Sequence, residues 1–93
     1  MSMGPHIFTI VRVSKCNSDR MPPDLSVDAE GDETFVVQVE GHAQPCYVRI
    51  TAERRAGVAW GGHATWIDLR AGETAEDAAR IVLNDADETE RRA

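Results

Sequence analysis

Several stretches of the chain alternate apolar and polar residues with a period of two. In TFVVQVE, residues 34–40, Phe35, Val37 and Val39 share one side and Thr34, Val36, Gln38 and Glu40 the other. In CYVRITAE, residues 46–53, Cys46, Val48, Ile50 and Ala52 oppose Tyr47, Arg49, Thr51 and Glu53. In ATWIDLR, residues 64–70, Thr65, Ile67 and Leu69 oppose Trp66, Asp68 and Arg70. A period of two is the signature of a half-buried strand. HIFTIVRV, residues 6–13, is rich in β-branched and aromatic residues and predicts a further strand, as does the alternation of DLSVDA, residues 24–29.

The intervals carry turn chemistry. Cys16 to Pro23 reads as a loop, since two adjacent prolines exclude helix. Glu30–Glu33 and Ala71–Glu73 each place a glycine in a turn, and RRAGVAWGGH, residues 54–63, is mostly loop with a short strand at 58–60. GHAQP, residues 41–45, joins two alternating runs and predicts a hairpin or a crossing between sheets.

Residues 74–90 admit two readings. Thr74 and Asp77 imitate a capping box, and Ala75, Ala79, Val82, Leu83 and Ala86 form a helical stripe. Residues 78–84 also alternate, and a last strand would complete a sheet. With the strand, the chain becomes an all-β sandwich of six or seven short strands in one domain, residues 1–84, followed by a charged, disordered tail, residues 85–93. With a helix over 74–90, it becomes an α+β domain. The expectation adopted is the sandwich.

Ninety-three residues bury only a thin core. Two Trp, one Tyr and two Phe leave that core mostly aliphatic. The chain holds 16 Asp and Glu against 10 Lys and Arg, a net charge of −6, which argues against phosphate-backbone binding and hence against a nucleic-acid partner. Residues 19–40 hold seven acids and one base, a net of −6, while residues 41–70 hold four arginines and two acids, a net of +2. No apolar run approaches the roughly 20 residues of a membrane helix, and MSMGPHIFTIVRVSK has no basic leader region. The expectation is a cytoplasmic protein without a membrane span. Two cysteines are too few for a disulfide framework.

PDLSVDAEGDETFVVQVEG, HAQPCYVRI and ATWIDLRAGETAEDAARIVL together resemble the immunoglobulin-like domains of archaeal and bacterial proteins. Leu69-Arg70-Ala71-Gly72-Glu73-Thr74 is similar to the "L-x-x-G-E-T" that precedes the final strand in those domains. Residues 40–45 are similar, more loosely, to their "N-x-G-x-P" turn, with Gly41 and Ala43 at the Asn and Gly positions. The resemblance spans residues 23–84 and is nearest to small haloarchaeal members. It implies an immunoglobulin-like antiparallel β-sandwich, a spacer or interaction role, and no catalytic residues.

The residues offer little chemistry. His42, Cys46, Cys16 and His63, with His6 behind them, are the types a zinc site would draw on, but no Cys-x-x-Cys or His-x-x-x-His joins them. The competing reading makes Cys46 a small core residue and His42 a turn residue. No paired nucleophile and base and no phosphate loop occur, so no enzyme and no cofactor are expected. What remains is interaction. Trp60 is the expected exposed aromatic, and Phe8 and Ile10 lie on an edge strand suited to pairing with another chain, including a second copy. The alternative is a small metal- or redox-responsive protein using the cysteines and histidines.

Overall fold

A computed structural model describes residues 9–17, 21, 22, 25 and 31–92, with side chains described only to residue 85. Among these residues five strands form one antiparallel sheet, backed by a single helix. The strands are β1 (Ile10–Lys15), β2 (Glu33–Val39), β3 (Cys46–Ile50), β4 (Arg55–Trp60) and β5 (His63–Asp68), and the helix is α1 (Ala75–Arg92). Spatial order follows chain order, β1-β2-β3-β4-β5, so every connection joins neighbours.

This architecture is compatible with the α+β alternative and does not bear out the all-β sandwich of six or seven strands: among the described residues the sheet has five strands and is backed by a helix. Residues 78–84, expected as a strand, are helical, and the helix runs on through residues 85–92. The period decides. Ala75, Ala78, Ala79, Val82 and Leu83 are buried, whereas Ile81, which a strand would place beside Ala79 and Leu83, is 43% exposed. That spacing is the stripe of an amphipathic helix. Its start is capped as the sequence implies. The Thr74 amide donates to the Asp77 carboxylate at 2.8 Å and the Asp77 amide donates back to Thr74 Oγ1 at 3.4 Å. Glu76 and Asp77 place negative charge against the positive end of the helix dipole.

The alternating runs of β2 and β3 pair as expected, with Val37 opposite Cys46 and Phe35 opposite Val48. The strand at 58–60 is longer than expected, beginning at Arg55. β1 begins at Ile10, with residues 1–8 outside the described set; the strand expected at 24–29 lies outside it too, except for Leu25. Gly61 and Gly62 have φ of 62° and 84°, so Trp60–His63 closes β4 onto β5 by a two-residue turn with both central residues left-handed.

The core lies between sheet and helix. Val37, Val39, Cys46, Val48, Ile50, Ala56, Val58 and Leu69 meet the buried stripe of α1. Three alanines in that stripe let the helix lie close.

Candidate functional site

On the sheet's second face, Leu25 lies over Gly57 and beside Arg49. Met21 and Leu25 are buried. Arg49, on the polar side of β3 by its pattern, is fully buried. Its Nε donates to the Leu25 carbonyl at 2.6 Å, and its Nη1 pairs with Asp32 Oδ2 at 3.2 Å. The remaining nitrogen, Nη2, makes no hydrogen bond. Next to Arg49 on the ladder is Gly57, and opposite Gly57 is Trp66. A Cβ at Gly57 would lie 2.7 Å from Leu25 Cδ2 and 2.8 Å from the Trp66 ring, so only glycine admits this packing. Arg55 stacks its guanidinium 5.6 Å from the Trp66 ring centre and pairs with Asp68 at 3.5 Å.

The two cysteines are far apart. Cys16 follows β1, where its amide donates to the Thr34 carbonyl at 3.1 Å and its carbonyl accepts from the Thr34 hydroxyl. It therefore shares the face of Thr34 and Arg49. Cys46 lies on the helix face opposite Val37. The register separates them by roughly 10 Å along the strands and roughly 10 Å across them. A disulfide needs Cα atoms within about 7 Å. Both thiols are free. Burial pushes the Cys46 thiol up to about 12, so it is neutral at physiological pH and a poor nucleophile or metal ligand.

His42 and His63 reach the same end of the sheet but do different things. His42 is exposed in the β2–β3 turn and packs edge-on against Trp60, ring centres 4.9 Å apart and planes at 69°. His63 opens β5 opposite Trp60 and is exposed. Among the described residues, no three His, Cys, Asp or Glu side chains group closely enough to hold a metal ion. GHAQPC is thus a hairpin connection whose histidine caps a tryptophan and whose cysteine enters the core. His6 and Phe8 lie outside the described residues.

The expected exposure of the tryptophans is reversed. Trp60 is half-buried and packs on the core, while Trp66 is 37% exposed. Ile10 is half-buried against the core as well.

Among the described residues, the strand order leaves two edges, β1 and β5. On β5, the Leu69 amide donates to the Arg54 carbonyl at 2.8 Å, so alternation along the ladder assigns Thr65 and Ile67 inward to β4. The backbone groups of Ala64, Trp66 and Asp68 therefore point outward. Beside this edge, Thr65 and Ile67 of β5 and Ile81, Val82, Asn84 and Asp85 of α1 line a groove of about 380 Å³. Sequence reasoning missed this site because alternation identifies strands but not their order in the sheet.

No helix among the described residues is long and apolar enough to cross a membrane. Comparison with known protein families, with curated proteins and with solved structures finds no match for this chain.

Proposed function

We propose that this protein is a small non-enzymatic interaction module that takes an extended strand onto the β5 edge. The observation that carries this reading is the outward row of backbone donors and acceptors at Ala64, Trp66 and Asp68, flanked by an apolar groove on one face and a 37% exposed Trp66 on the other. Unpaired edge backbone supplies affinity through main-chain hydrogen bonds, and pockets beside it select alternate side chains. Ile67 and Ile81 offer such a pocket, while Trp66 offers a flat aromatic surface.

The test is amide exchange followed residue by residue, first on the protein alone over a range of concentrations, then with a synthetic peptide of alternating valine and threonine. Ala64, Trp66 and Asp68 are expected to become protected in one or both series. Outward amides that exchange at the rate of open chain throughout would overturn the reading.

A further inference from the structure

We infer that the strand taken up by β5 is β5 of a second copy, paired antiparallel about a two-fold axis with Trp66 opposite Trp66 of the other chain. This rests on the strand-addition reading and names its occupant.

Three observations select it. First, the edge complements itself. Ala64, Trp66 and Asp68 all face outward, and Trp66 is at their centre. A two-fold axis at Trp66 pairs Trp66 with Trp66, Ala64 with Asp68 and Asp68 with Ala64. Each outward residue then meets an outward residue on the same face, and all their backbone groups are used. Shifting the register by two residues, the smallest step that keeps the faces matched, leaves some of these groups without a strand partner.

Second, the edge is electrically neutral in a chain of net charge −6. Asp68 is the only acid on β5, and Arg55 of β4 sits 3.5 Å from it. Two copies can approach along β5 with less repulsion than the net charge implies, since the acid of the groove, Asp85, lies on α1 and not on the strand.

Third, the same axis joins the grooves. Thr65 and Ile67 alternate with the outward residues and lie on the helix side, so each Thr65 comes opposite the other chain's Ile67. The two grooves meet beneath both helices, and Ile81, 43% exposed in one copy, gains an apolar neighbourhood. The product is a continuous sheet with both helices on one side.

The register makes a prediction with a sign. Ala64 stands opposite Asp68 of the other chain, so Ala64→Glu sets two like-charge pairs in each dimer and Ala64→Lys two opposite-charge pairs. Ala71, exposed in the turn before α1, takes the same substitutions as a control for net charge. Dimer dissociation constants would be measured by sedimentation equilibrium at physiological salt. The expected result is a wild-type dimer, with Ala64→Glu and Ala64→Lys about tenfold apart, the lysine tighter, and the Ala71 pair nearly equal. A monomer at every concentration would overturn the inference, as would a dimer that responds alike to both Ala64 changes or equally to the Ala71 pair. If the monomer nonetheless shows β5 amides protected by the added peptide, strand addition stands and only the second copy is lost. A dimer with unprotected β5 amides sinks both.

Discussion

β1 and β5 end the same sheet, yet they manage an exposed backbone in opposite ways. β1 is disrupted. Its pairing with β2 shifts between Ile10 and Arg12, leaving Val11 as an extra residue, 64% exposed. Arg12 and Lys15 add charge, and Lys15 pairs with Glu33 at 2.9 Å. A bulge and basic side chains are standard protections against unwanted pairing. β5 has neither. Its register with β4 is unbroken from His63 to Asp68, and it carries one charge, at its end. β5 is also held firmly from behind, because Trp66 rests over Gly57 beside Leu25. The contrast is that β1 carries two features that protect an edge from pairing, whereas β5 carries neither and is packed from behind.

The largest expected effect strikes the support of β5. Arg49→Met removes the partner of buried Asp32 and the donor to the Leu25 carbonyl, and breaking such a pair costs about 3–5 kcal/mol. Chemical denaturation should show that loss, and native-state tryptophan fluorescence should shift red as Leu25 loosens over Trp66.

A perturbation at the sheet's centre should affect both edges alike. The Cys46 thiol is held near 12 in the folded chain against an ordinary value of 9.0. Below pH 9 both states keep the proton and nothing is lost. As pH rises from about 9 to about 12 the unfolded chain releases the proton and the folded chain does not, so stability falls by up to about 4 kcal/mol. Denaturation midpoints across that range should decline, and Cys46→Val should flatten the decline.

Gly57→Ala tests the wedge more gently. The new methyl must displace Leu25 or the Trp66 ring, and such overpacking costs about 1–3 kcal/mol. Thermal unfolding would read it, with association through β5 weakened in parallel.

The smallest effect belongs to β1. Arg12→Thr with Lys15→Thr removes its charges but leaves the bulge, and exposed ion pairs contribute about 1 kcal/mol or less. Stability should barely change, and the oligomeric state should still follow Ala64.

What the sequence reveals and what it conceals divide along physical lines. β2, β3 and their joining turn are legible because each strand has one buried and one less buried face, which imprints alternation. The cap at Thr74 is legible because it is local. The helix itself is ambiguous because Ala79, Ile81 and Leu83 also satisfy a strand pattern, and only the packing of α1 on the sheet sorts buried Leu83 from exposed Ile81. β4 is obscured by Gly57, which weakens a strand by propensity and is required there by Leu25 and Trp66, residues distant in the chain. Arg49 reads as a solvent-facing arginine, yet it is fully buried and bonded to the Leu25 carbonyl and Asp32, contacts between segments far apart in the chain. The β5 site is concealed for a related reason: Trp66 and Ile67 are visible as residues, but being at an edge is a property of the whole sheet.

The most direct test compares the two edges within one sample. Backbone amide exchange would be followed by NMR in dilute and concentrated protein at Ala64, Trp66 and Asp68 on β5. Val13 and Lys15 would be followed on β1, where alternation from the Cys16–Thr34 bond leaves them outward. The account predicts that protection rises with concentration on β5 and stays flat on β1. Protection that rises on β1 while β5 stays open would contradict it.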